Sequence, residues 1–101
     1  MAETYKRFKD FYPYYLSEHE DLTCRRLHFI GTTFVIVTFL YAIFTQRWMA
    51  LWLMPLFGYG FAWIGHFFFE KNRPATFQYP FYSLISDFVM YRDILIGRIR
   101  F

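Results

Sequence analysis

Three histidines stand at positions 19, 28 and 66 of the 101-residue chain. Imidazole is a ligand for iron, zinc, copper and nickel, and two or three histidines beside a carboxylate, with coordination positions left open, suit non-haem Fe(II). Two carboxylates are candidates for that role. Glu70 follows His66 by four residues, hence on the same face of a helix, and Asp87 is the second. The stretch SEHEDLTCRRLHFIG, residues 17–31, adds two guanidinium groups just before His28. Arginine grips a carboxylate through two parallel hydrogen bonds, so Arg25 or Arg26 would orient an acidic substrate. Arg26 lies two residues, about 200° of helix, from His28, and Arg25, three residues away, lies nearer its face. Plainer readings stand beside these. The histidines would serve as hydrogen-bonded interfacial residues, Glu70 and Asp87 as solvated charges, the arginines as topology determinants and Cys24 as packing.

Composition says which elements must position these groups. Fifteen Phe, nine Tyr and three Trp with 19% charged residues exceed the apolar and aromatic share of ordinary soluble domains, and a water-soluble core of this length would be marginal. Lipid as the solvent accounts for both. One cysteine excludes an intrachain disulfide. A net charge of +3 without a basic run argues against nucleic acid as a partner. The polar, amphipathic first sixteen residues contain no apolar signal-peptide core.

Residues 3–16 place Tyr5, Phe8, Tyr12, Tyr15 and Leu16 at helical spacing, an interfacial helix that Pro13 should break or restart. Residues 27–46 and 49–69 are the spanning candidates, each about 30 Å long as a helix and matched to the hydrocarbon layer. The second carries Pro55, Gly58, Gly60 and Gly65, which membrane helices tolerate and use for close contact. The short TQR connection at 45–47 makes the pair an antiparallel hairpin. Five Lys and Arg precede the first span, one lies in the connection and five follow the second, so both termini face the cytoplasm, as in a bacterial inner-membrane protein. After a loop, EKNRPATFQYP, residues 81–99 carry an apolar stripe from Phe81 to Ile99, with Ser83, Ser86, Asp87 and Asp93 off it. This reads as an amphipathic helix on the cytoplasmic face or shallowly inserted. The expected fold is thus all-α: a small integral membrane helical bundle, one domain over 1–101, its antiparallel transmembrane hairpin flanked by amphipathic helices.

The hairpin brings the histidines to one level. His28 lies eighteen residues before Gln46 and His66 twenty after it. On a continuous helix His19 would face away from His28, nine residues on. A break at EDLT, with Asp21 or Thr23 as the N-cap of a new helix, would turn it back.

FYPYYLSEHEDLTCRRLHFIGT and GYGFAWIGHFFFEKNRPATFQYPFYSLISDF together resemble the DUF962, or Mpo1-like, family over nearly the whole chain, in its short bacterial form. The most telling pieces are His19 and His28 followed by Gly31, and Gly65-His66 followed by Phe69-Glu70 and Arg73-Pro74-Ala75. The resemblance implies an Fe(II)-dependent dioxygenase that shortens 2-hydroxy fatty acids by one carbon, with His19, His28 and His66 matching the family's histidines. Its partners would be the hydroxy acid, dioxygen and membrane lipid, with a homo-oligomer left open. Cys24 stands where the family commonly has Asn, and Ala62 where longer members have Gln, which leaves the substrate open. Two other classes compete. One is a non-enzymatic membrane scaffold or lipid-binding protein whose histidines only make hydrogen bonds; the other is a zinc hydrolase, for which no Ser or Cys nucleophile arrangement is present.

Overall fold

The computed structural model describes residues 5–72 and 78–101; residues 1–4 and 73–77, with the Arg73-Pro74-Ala75 piece of the family pattern, lie outside them. Helix α1 spans Phe8–Ser17 and runs through Pro13 without a break. The expected interruption fails because the carbonyl that Pro13 cannot pair belongs to Lys9, which is exposed and can turn to water. Asp21, in extended conformation, accepts a hydrogen bond from the Cys24 amide and starts α2, Leu22–Thr45. Of the two expected caps, Asp21 and Thr23, Asp21 is the one used, and it sets the start of α2 five residues ahead of the expected span. Gln46 adopts the left-handed conformation and ends the helix.

The returning arm is composite: a 3-10 turn at Trp48–Trp52, helix α3 at Leu53–Ile64 and a π turn at Gly65–Glu70. Leu22–Thr45 and Trp48–Glu70 are both long and apolar enough to cross a membrane, and only 28% and 11% of their most apolar windows are buried. A core helix of a water-soluble protein buries such residues; here Phe44, Trp52, Leu56 and Phe68 point outward. The arms pair in antiparallel order. Cys24 meets Gly65, Gly31 meets Phe57 and Phe61, and Val35 faces Gly58. A Cβ on Gly31 would stand 2.9 Å from the Phe57 carbonyl oxygen, and one on Gly65 2.8 Å from Cys24 Sγ, so these two glycines bring the backbones together as small residues do in membrane helices.

Helix α4, Pro80–Leu95, begins with proline in its first turn, where the missing N–H costs nothing. It stops short of the expected residue 99. Gly97 takes φ +83°, Arg98 N–H bonds to the Asp93 carbonyl and Gly97 N–H to that of Ile94, a Schellman closure that glycine makes without strain. Helix α4 is inside out by aqueous standards: Ser83, Ser86, Met90, Asp93 and Ile94 are buried while Phe81, Leu84, Ile85 and Phe88 are exposed. Its buried side meets α1 in a core of Phe11, Tyr15, Met90 and Ile94. The Tyr12 hydroxyl donates to Asp93 at 2.9 Å and the Tyr82 hydroxyl to the Lys6 carbonyl at 2.9 Å. The whole measures 45 × 26 × 26 Å, longer than the hydrocarbon layer of about 30 Å.

Candidate metal centre

Each histidine reaches the centre from a different local structure. His19 follows the end of α1 in the turn before the Asp21 cap, His28 sits in the second turn of α2, and His66 is the second residue of the π turn. A π turn inserts one residue into the helical ladder and is common at functional sites because it redirects a side chain. Lys71, left-handed, ends the turn, and the Asn72 amide closes it on the His66 carbonyl at 3.0 Å. All three imidazoles are buried. His19 Nε2 lies 3.0 Å from His28 Nε2 and 2.9 Å from His66 Nε2, and one donor atom from each falls within 4.8 Å of the others.

The other ring nitrogens decide what these atoms carry. His19 Nδ1 faces the Tyr15 carbonyl at 2.6 Å and His28 Nδ1 the Cys24 carbonyl at 2.9 Å. Carbonyl oxygens only accept, so both Nδ1 atoms hold the proton. His66 Nδ1 faces Asn72 Oδ1 at 2.7 Å, and the orientation of that amide is set by its Nδ2 donating to the Glu18 carbonyl at 3.3 Å. In the neutral rings, then, three Nε2 lone pairs converge with no donor among them. That is an unfavourable arrangement for buried polar atoms unless a cation lies between. Burial, with His28 and His66 next to it, holds His19 well below the ordinary histidine range, so it is neutral at pH 7, the form in which imidazole can ligate a metal. Nitrogens about 2.1 Å from one ion stand about 3.0 Å apart at adjacent octahedral corners and about 3.4 Å apart at tetrahedral ones. The two edges through His19 match the octahedral value. The three histidines can hold a metal ion.

A cavity of about 310 Å³ opens beside His28, between α2, α3 and α4. Asp87 lines it, half-buried, with its Oδ1 accepting from the Tyr15 hydroxyl. Burial pushes the Asp87 carboxyl up to about 7, against the opposing pull of that hydrogen bond.

A family model described as 2-hydroxy-palmitic acid dioxygenase Mpo1-like matches residues 5–99. The chain belongs to the Mpo1-like family. No curated protein and no solved structure matches it. Among the described residues of this Mpo1-like chain, the group of metal-ligand atoms is the triad itself, and the other candidates surround it. Asp87 sits at the cavity, bonded to Tyr15. Glu70 accepts from the Asp21 amide and so closes the start of α2 from the opposite arm, the job a glutamate does within one helix in a capping box. Arg25 Nε donates to the His19 carbonyl at 3.2 Å and Nη1 to that of Arg100 at 3.0 Å; Arg26 reaches the Phe101 main-chain oxygen at 3.2 Å and lies over its ring. Neither arginine lines the cavity. Tyr15 and Asn72 bear directly on the triad, and the sequence reading did not single them out for it. Tyr15 stacks on His19 with ring centroids 4.0 Å apart and holds both its Nδ1 and Asp87; its place four residues before His19 was the available signal. Asn72 had none, since its reach to His66 depends on the π turn and the left-handed Lys71.

Proposed function

We propose that the protein is an integral membrane, Fe(II)-dependent dioxygenase that removes one carbon from 2-hydroxy fatty acids, with His19, His28 and His66 as the metal ligands. The observation that carries this reading is the triad of convergent Nε2 atoms, each tautomer locked from behind, opening through His28 onto an apolar cavity. The description of the matching family, 2-hydroxy-palmitic acid dioxygenase Mpo1-like, supports this substrate class. Three histidines leave positions open, where iron would supply activation of dioxygen and chelation of the substrate's hydroxyl and carboxylate. The bond broken is C1–C2; one dioxygen balances the oxidation to the shortened acid, carbon dioxide and water.

The chain's own groups do the rest. Tyr15, Cys24 and Asn72 hold the imidazoles in the ligating tautomer. Asp87, which lines the cavity with its Oδ1 engaged by Tyr15, would accept the proton of the 2-hydroxyl, a task suited to a carboxyl near pH 7. Arg25 braces the His19 main chain in place of the substrate. The exposed apolar faces of α2 and α3 lie in the bilayer with both termini cytoplasmic.

Metal analysis of anaerobically purified protein tests the centre: we expect about one iron per chain, most of it lost in His19→Ala, His28→Ala and His66→Ala, beyond the 10 to 100-fold affinity loss typical of outer-shell changes. Full iron in all three variants, or zinc in the wild type, would sink the reading. Labelling of single cysteines placed near each end and at Gln46, with Cys24 replaced, tests the topology.

A further inference from the structure

The cavity beside His28 is one half of a longer space. His28, Thr32 and Val35 line it along one face of α2, and from His28 to Val35 is seven residues, about 10 Å of helix. At Val35, Met54 and Phe88 it meets a second cavity of about 310 Å³, which shares those three residues and continues to Ile36 and Phe39. From His28 to Phe39 is about 16 Å. The polar end is compact: His28, Thr32 and Asp87 lie there, and the far cavity is lined by aliphatic, aromatic and thioether groups alone. Such a space fits an amphiphile with one polar head and one extended chain. An extended chain advances about 1.2 Å per bond, so the near half takes about eight bonds and both halves about thirteen. The flank is formed by Tyr59, Leu84 and Phe88, all exposed and continuous with the outward apolar faces of α3 and α4, so the space opens sideways onto an apolar surface.

We propose that the two cavities form a single slot for the substrate's alkyl chain, and that Val35, Met54 and Phe88 are the waist that decides how long a chain is accepted. This rests on the reading of the triad as the place where the head group reacts. Gly58 faces the same waist: a Cβ there would sit 3.5 Å from Val35 Cγ2, in ordinary contact, whereas one on Gly60 would meet nothing within 4 Å. One glycine opens onto the slot and the other onto open space.

The test uses metal-free full-length protein in phosphatidylcholine nanodiscs. Binding of straight-chain fatty acids and their 2-hydroxy forms, from about eight to about sixteen carbons, is measured by calorimetry. For the wild type, affinity should climb with each added methylene and level off near about fourteen carbons. In Val35→Trp the climb should stop near about nine carbons, with about tenfold or greater loss for the longest acids and less than about twofold for the shortest. Met54→Trp provides a second waist variant should Val35→Trp fold poorly, and Gly60→Leu should follow the wild type. A profile without length dependence in the wild type, or the same profile in both waist variants, overturns the slot. The two readings fail separately. Length-graded binding by a protein that, loaded with iron, oxidises no 2-hydroxy acid keeps the slot and removes the dioxygenase; oxidation with an unchanged chain preference in the waist variants does the reverse.

Discussion

The two helix pairs are held together by opposite means. Between α2 and α3 the contact is steric: Gly31 and Gly65 let the backbones approach, Phe34 stacks near Phe57 and Phe61, and large apolar side chains face outward. Between α1 and α4 the contact is a small aromatic core around Phe11 and Tyr15, bordered by hydroxyl-to-carboxylate bonds from Tyr12 and Tyr15. The first pair suits a solvent in which burial of apolar groups gains little, so fit must do the work. The second suits an aqueous boundary, where apolar burial and paired polar groups both count. The histidines sit where the pairs meet, His19 from one and His28 and His66 from the other, so metal binding at the proposed centre would report on the joint.

The largest break of this contrast should come from Phe11→Ala. Emptying a fully buried aromatic site costs about 3–5 kcal/mol. It should loosen α1 from α4, displace Tyr15 and with it His19, and lower iron content, while detergent extraction of the hairpin stays unchanged. Thermal unfolding with metal analysis checks this; retained iron would show that α1 does not depend on that core. Gly65→Val attacks the other pair. Its Cβ has no room beside Cys24, and overpacking of this kind costs about 1–3 kcal/mol. It should separate His66 from His28 while leaving α1 on α4, visible as lost iron with an intact Tyr15 environment in near-ultraviolet circular dichroism.

A pH series probes the α1–α4 side of the comparison, because two of its groups, His19 and Asp87, titrate in opposite senses. His19 has a lowered folded value, so the folded state binds fewer protons and stability falls as pH drops below 6.5. Asp87 has a raised value, so its protonated form favours the fold fully below 3.8, and that contribution declines as pH rises and is gone above about 7. Asp87→Asn keeps an acceptor for Tyr15 and cannot ionise, so the slope opposing His19 is lost and stability should fall more steeply as pH drops from about 6.5 to about 5; denaturation midpoints across about pH 5 to about pH 8 decide it. The smallest effect belongs to Tyr12→Phe, which removes the hydroxyl on Asp93 for about 1 kcal/mol and should leave iron content unchanged.

Pattern in the chain was enough for the helical class, the hairpin turning at Gln46, a helix restart capped by Asp21 or Thr23, and the end of the bundle where the histidines gather. These depend on interactions within a turn or two of helix, and on hydrophobic length, which sequence states directly. Pro13 and the end of α4 show the limit even locally, since one turned on an exposed carbonyl and the other on a closure at Gly97. What only the tertiary structure decided is which atoms meet. His19 and His66 are 47 residues apart, the tautomers follow from a carbonyl of α1 and an amide beyond the π turn, and Glu70 was drawn from ligand candidate to cap by the approach of the opposite arm. The face of α4 was undecidable for a physical reason: an apolar stripe says which side avoids water but not what that side turns toward, and it is the bonds from Tyr12 and Tyr15 on α1 to Asp93 and Asp87 that hold the opposite side inward.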